Sequence, residues 1–384
     1  MASSTMLTTG NKRILIFSLA YYPVEGGAEI AVKEITNRIN DIEFDMITMR
    51  FDDNHAEKEK VGNVNLYRIK ANKITFPIEA ALFARKLHKE KHYDAIWSIM
   101  ANRAGGAALF FKYTFPEVPF ILTLQEGDPI EYMKRRSLYW INPFFRKIFT
   151  NADIVQAISL YLSDYASIMG HKGKVEVIPN GVDYKNFQTE IKDSEKMELR
   201  NRFGFSTTDT LLITTSRLVE KNAVGDIILA LKSLPEHYKL LILGVGPQER
   251  DLKALAVDAL LESRVKFLGH IPSEDVPKYL HASDIFIRPS IAEGFGNSFI
   301  EAMAAGLPVI ATPVGGIVDF LRDGETGLFC EVKDPENIAR QVTKLAGDPD
   351  LRQKLINNGR NLAREKYDWD LVAKEMKARV FDKV

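Results

Sequence analysis

Short apolar runs recur along the chain, separated by stretches whose apolar residues fall three and four positions apart. In the first half the apolar runs cover 13–20, 44–50, 64–69, 94–100, 119–125, 153–159 and 175–181, with helical patterns such as 28–39 and 78–91 between them. The second half repeats the rhythm at 210–218, 238–246, 264–271, 284–290, 307–313 and 327–332, with helical patterns such as "NSFIEAMAAG" and "ENIARQVTKLAG". Runs that are apolar on both faces and alternate with helices predict parallel strands buried on both sides. Two such series predict an α/β protein of two doubly wound domains, 1–182 and 183–366. The break is set at "PNGVDYKNFQ" (179–188), where Pro, Asn and Gly interrupt the pattern. The tail, 367–384, reads as a helix crossing back to the first domain. In such sheets a ligand binds beyond the carboxyl ends of the strands, so the residues after each strand are the ones to question.

Composition narrows the picture. At 384 residues, 46% hydrophobic and 27% charged, the chain can bury two cores. Fifty-one basic residues balance fifty-one acidic ones, which removes the electrostatic case for nucleic acid. The single cysteine, Cys330, excludes an intrachain disulfide framework and fits a reducing cytoplasm. The run "ILIFSLAYY" is too short for a signal core or a span, and no stretch of eighteen apolar residues occurs. A cytoplasmic protein is expected, meeting a membrane, if at all, on its inner face and from the side.

Candidate chemistry clusters after the strands. Gly26 and Gly27 precede a helix, where backbone can approach a phosphate and the helix terminus favours negative charge; a plain strand–helix turn explains them equally well. Arg217 and Lys221, four apart after the run 210–218, form either a diphosphate clamp or a solvated surface pair. "GVGPQE" (244–249) lacks the third glycine of a dinucleotide fingerprint, and Pro247 fits a first helical position. In "SIAEGFGNSFIEAMAAG", Glu293 lies in a glycine-rich loop and Glu301 one turn into the next helix, with Asn297 as the expected cap. Carboxylates accept hydrogen bonds from sugar hydroxyls, so this pair can hold two sugars on either side of a phosphate. The competing readings are a solvated loop charge and a helix-dipole partner.

Taken together, "EGFGNSFIEA", "AMAAGLPVIATPVGGIVDFLRDGETGLF" and "SRLVEKN" resemble the retaining GT-B glycosyltransferases of group 1, also called family four. The resemblance extends over essentially the whole chain and is strongest in the second half. It implies two Rossmann-like domains facing across a central cleft, the first binding acceptor and the second the nucleotide sugar. It implies that Glu293 binds donor-sugar hydroxyls and that Glu301 holds the ribose. The backbone of Gly294, Phe295, Gly296, Asn297 and Ser298 contacts sugar and phosphates, and Arg217 and Lys221 neutralise the departing diphosphate. The base is expected near "FLGHIP", at the backbone of His270 and Ile271, and Gly26 and Gly27 let the first domain approach the phosphates. The implied activity is transfer of a hexose-type sugar from a UDP- or GDP-sugar to a glycan, lipid or lipid-linked acceptor, with retention. No cofactor or metal is called for: "DWD" (368–370) opens the last helix, where Asp368 reads as a cap.

Relatives often carry His where this chain has Gln125, followed by Glu126 and Asp128. Gln cannot take a proton, so either the diphosphate serves as base or Asp128 or Glu126 assists; "EGDP" is also good turn chemistry. "MKRRSLYWINPFFRKIF" (133–149), with five basic and no acidic residues and many aromatics, leaves two readings open. One is a segment at an anionic membrane surface, the other a helix whose aromatics face the core. Three other functions compete with this one: a sugar-nucleotide epimerase of the same fold, a non-catalytic partner subunit and a nicotinamide dehydrogenase. The "EGFGNSFIEA" form argues against the first, the presence of Glu293, Arg217 and Lys221 against the second, and the incomplete fingerprint against the third.

Overall fold

The computed structural model describes residues 11–128 and 143–384. These form two compact units. The first takes residues 11–126, 143–178 and 372–384, and the second takes 127–128 and 179–371.

The first unit is built on β1 (Lys12–Phe17), β2 (Ile42–Met49), β3 (Lys58–Val61), β4 (Val64–Ile69), β5 (Ala95–Ile99), β6 (Phe120–Leu124), β7 (Ile154–Ala157) and β8 (Val175–Val177). Their order is β3-β4-β2-β1-β5-β6-β7-β8, parallel throughout except for the β3–β4 pair. Ile14, Leu15, Ile16 and Phe17 of β1 are all fully buried, as a central strand covered on both faces requires. The strand β3, "KEKV", was not foreseen: it is charged and largely exposed, and it sits at the sheet edge, where charge discourages pairing with another chain. Helix α1 (Gly27–Asn37) follows β1, α2 (Phe76–Lys91) follows β4, and α3 (Arg103–Thr114) follows β5. The chain end returns to this unit, where Phe381 packs on Trp97 and Phe44 and Arg379 pairs with Glu176 at 2.7 Å.

Part of the aromatic–basic segment is visible in α4 (Pro143–Thr150). Phe145 and Phe149 are buried there, so these two aromatics face the core and not a headgroup layer. Arg146 and Lys147 are exposed. The remainder of that segment, from 133 to 142, lies outside the described residues. Among the described residues, no helix is long and apolar enough to cross a membrane.

The second unit carries β9 (Thr210–Thr215), β10 (Tyr238–Leu243), β11 (Val265–Gly269), β12 (Ile285–Arg288), β13 (Val309–Ala311) and β14 (Leu328–Phe329). Their order is β11-β10-β9-β12-β13-β14, all parallel. Chain order reverses between β9 and β12, which makes that gap the switch point of a doubly wound sheet. In the first unit the corresponding gap lies between β1 and β5. A helix over Asp193–Arg202 occupies the polar stretch after the domain break. It buries no side chain, so it has no apolar stripe to betray it. The turn after β10 also differs from expectation. Its helix begins at Glu249, capped by Gln248, and Pro247 therefore precedes the helix and does not open it.

Candidate active site

The strand order sets the turns of the second unit side by side. From the β11 edge inward come His270 and Ile271, then Gly244 to Gly246, then Arg217 to Lys221, and across the switch point Arg288 to Glu293. His270 is exposed and Ile271 half-buried. Two glycines allow the turns to close up. Gly244, at φ +130°, donates to the Gly269 carbonyl at 2.7 Å, and a Cβ there would stand 1.9 Å from the Ser216 carbonyl oxygen. Gly315, at φ +52°, has the Glu293 carbonyl oxygen 1.9 Å from where its Cβ would be. Both conformations disfavour any other residue.

The Glu293 loop is tied on both sides. The Ile291 amide donates to the Lys221 carbonyl at 2.7 Å, and the Gly316 amide donates to the Glu293 carbonyl at 3.0 Å. These bonds bring the "SRLVEKN" turn and the "EGFG" loop together across the switch point. The Lys221 ammonium donates to the Gly127 carbonyl at 2.5 Å and sits 3.2 Å from an Asp128 carboxylate oxygen. The backbone of Gly127 in turn lies against Glu293: a Cβ there would be 3.7 Å from Glu293 Oε1 and from the Gly294 amide nitrogen. Lys221, Asp128 and Glu293 are thus one cluster. Arg217 is exposed at the same turn, its carbonyl accepting from Asn222 at 2.7 Å.

Helix α11, counted after α5 (Leu160–Ile168), α6 (Tyr184–Gln188), α7 (Asp193–Arg202), α8 (Val224–Ala230), α9 (Glu249–Asp258) and α10 (Val276–His281), runs from Asn297 to Ala305. Its cap is Gly296, at φ +93°, and not Asn297, which is already helical and makes no side-chain cap bond. The Asn297 side chain is used elsewhere, accepting from Asn180 at 3.1 Å. Phe295 is 1% exposed and packs on Phe320 and Tyr367, so only its backbone is available to a ligand. Glu301, partly buried in the second turn, has its carboxyl pushed up to about 7 by burial, with the Arg288 charge pulling back down.

Arg288 is the site residue that sequence reasoning missed. It ends β12, is 6% exposed, and forms an ion pair with Glu293. The available signal was a charge directly after the apolar "IFI", at a carboxyl strand end beside the glutamate loop. In the first unit, Gly26 caps α1 with extended backbone at φ −143°, and a Cβ on it would meet the Glu29 carboxylate at 2.6 Å. Both glycines follow β1, at the switch point of that unit. Glu126 accepts from the Ala101 amide at 2.7 Å within the same unit. Asp368 accepts from the Asp370 amide at 2.9 Å, the capping role expected of it.

Two α/β units, each on a doubly wound sheet, are the architecture of the GT-B glycosyltransferases. The chain belongs to the group 1 glycosyltransferases: the model described as "Glycosyl transferases group 1" matches residues 195–362, and that of "Glycosyltransferase Family 4" matches residues 25–186. It is 26% identical over 380 residues to an uncharacterized glycosyltransferase of Methanocaldococcus jannaschii, covering 94% of this chain and 96% of the relative. It is 32% identical over 243 residues to a GDP-mannose-dependent monoacylated alpha-(1-6)-phosphatidylinositol monomannoside mannosyltransferase of Corynebacterium glutamicum, covering 60% of this chain and 62% of that protein. Its fold superposes on sucrose-phosphate synthase of Thermosynechococcus elongatus with a TM-score of 0.84, at 21% identity, over 97% of this chain and 98% of the other.

Proposed function

We propose that this glycosyltransferase moves a hexose-type sugar from a UDP- or GDP-sugar to a glycan, lipid or lipid-linked acceptor, with retention and without a metal, in the synthesis of a cell-surface polysaccharide or glycolipid. The observation that carries the reading is the switch-point cluster, where the Lys221 ammonium and the Glu293 carboxylate flank the backbone of Gly127, the first bonded to its carbonyl and to Asp128, the second paired with Arg288. The mannosyl relative from Corynebacterium, named for a GDP-mannose donor and a phosphatidylinositol-based acceptor, supports the donor and acceptor classes.

As the glycosidic bond breaks, negative charge grows on the diphosphate. Lys221, held by the Gly127 carbonyl and Asp128, and the first amides of α11 are preorganised positive groups that can meet it, and the exposed Arg217 can add its charge, which lowers the barrier. Glu293 accepts from sugar hydroxyls and Glu301 from the ribose. Asp128 shares the Lys221 ammonium until the diphosphate claims it, which releases the carboxylate towards the acceptor hydroxyl. Gly26 and Gly27, at the mouth of β1, are assigned to the diphosphate, and the backbone at Ile271 to the base. The first domain takes the acceptor; where that is lipid-linked, the basic residues around 134–136 and 146–147 meet anionic headgroups at the cytoplasmic face of the membrane.

The test is a panel of UDP-, GDP- and ADP-sugars. For each, thermal stabilisation and slow release of nucleoside diphosphate are recorded with and without EDTA, and the anomeric configuration of the product is read by NMR. One donor should stabilise the protein, by roughly 2.7 kcal/mol at a hundred times its dissociation constant. EDTA should leave turnover unchanged, and the product should keep the donor's configuration. Absence of binding by every sugar nucleotide, or an inverted product, overturns the reading.

Glu301 adds a pH dependence with a definite sign. A carboxyl raised in the folded state binds a proton that the unfolded chain has already lost, so its contribution to stability falls as pH rises from the ordinary carboxylate range to about 7. An ionised carboxylate is the stronger acceptor for ribose hydroxyls, so donor affinity should rise through the same value, by at most ~10-fold per pH unit on the acid side. Calorimetric titration from pH 5.5 to 8.5 should show this slope in the wild type and a flat line in Glu301→Gln. A slope that persists in Glu301→Gln assigns the titration to another group.

A further inference from the structure

We propose that Arg288 is the positioning residue of the donor site, one guanidinium setting both the carboxylate that reads the sugar and a hydroxyl that meets the phosphate. The inference rests on the transferase reading above and assigns a role to a residue outside the glutamate pair and the cationic turn. Nη2 pairs with Glu293 Oε2, and Nη1 donates to Ser298 Oγ at 2.6 Å, with the Thr215 carbonyl oxygen at 3.4 Å. The guanidinium carbon lies 4.3 Å from the centre of the Phe299 ring, itself fully buried and edge-on to Phe286. The plane is therefore held by a ring on one face and by acceptors in three directions. The loop leaves no slack, because a Cβ on Gly296 would reach 3.0 Å from Nη2 and 2.5 Å from Phe299.

The directions of these bonds decide what the partners offer a ligand. Glu293 gives Oε2 to Arg288, while Oε1 accepts from the Gly294 amide at 3.2 Å; each oxygen keeps a lone pair for a sugar hydroxyl. Ser298 Oγ is an acceptor towards Arg288, so its own hydrogen is left to donate. On the second residue of α11, at the helix N-terminus, the fitting acceptor is an anion such as the donor diphosphate. Only a planar fork can serve both partners at fixed separation; an ammonium binds as a point. Sugar and phosphate are thus read by groups whose spacing is fixed by one side chain, as transfer from a bound donor requires.

The test compares Arg288→Lys and Arg288→Met with the wild type, using the sugar nucleotide that the wild type turns over. Arg288→Lys keeps the charge and loses the fork: kcat should fall about 10-fold, with a smaller rise in donor KM. Arg288→Met should lose about 100-fold in kcat/KM, the scale of a misplaced catalytic group. Ser298→Ala combined with Arg288→Lys should lose less than the product of the two single losses, since both break the same bond. If Arg288→Lys folds, melts early and keeps kcat and KM within twofold, Arg288 is only structural and the proposal fails, even if Arg288→Met does not fold. Wild-type protein inert towards every sugar nucleotide would instead overturn the transferase reading itself, and this proposal with it.

Discussion

Glu293→Ala should lower sugar-nucleotide turnover about 1,000-fold, and it should also lower stability. The two losses have different origins. Glu293 and Arg288 form a buried ion pair, with side chains 14% and 7% exposed. Removing one member leaves the other charge without compensation, which costs about 3–5 kcal/mol in comparable pairs. On the proposed reading the loss of turnover comes from removing the carboxylate that would hold the sugar while its bond breaks, an effect of the size found when a single preorganised transition-state contact is removed. Pairing the substitution with Arg288→Met separates them. The double variant deletes both charges, so denaturant unfolding should show much of the stability restored, while turnover stays low. Recovery of turnover together with stability would show that Glu293 matters only as the partner of Arg288.

Lys221→Ala should lower kcat by about 100- to 1,000-fold while leaving stability nearly unchanged. Its ammonium bonds the Gly127 carbonyl and the Asp128 carboxylate, and Asp128, 38% exposed, can return to water when the cation is gone. On the proposed reading what is lost is the charge that would face the departing diphosphate, where removal of one fixed donor typically costs that much. The same change should weaken product inhibition by nucleoside diphosphate, since the product carries the charge that Lys221 meets. Lys221→Arg should recover most of the rate. A kcat within threefold of wild type in Lys221→Ala, with product inhibition intact, would move the role to Arg217 or to the helix terminus.

How far the sequence announces these features depends on whether their physics is local. The strands β1, β9 and β12 are legible because burial on both faces writes a short apolar run, ILIF, LLI and IFI, at the centre of each. Glu293 and Lys221 stand out in the sequence as candidates because each lies in a short turn after an apolar run, and Glu301 because it follows Glu293 at a fixed offset into the next helix. Arg288 is not, because its meaning comes from Ser298, ten positions on, and from Thr215 on a neighbouring strand. The helix at Asp193–Arg202 and the edge strand β3 escape for the opposite reason. Neither buries the apolar face that periodicity detects. The Asn297 cap fails on competition: Gly296 takes the positive-φ corner that no asparagine side chain needs to fill, and Asn180 claims the amide.

The close approach of the turns has a consequence for anyone wishing to change the donor this protein accepts. Gly244 and Gly315 are pressed against the carbonyls of Ser216 and Glu293, so at these two joints between turns a side chain cannot be added without moving backbone. Substitutions at either glycine should destabilise the fold before they change the donor. Diversity is better spent at His270 and Ile271, on the rim of the same sheet, where side chains reach solvent and both joints are left whole.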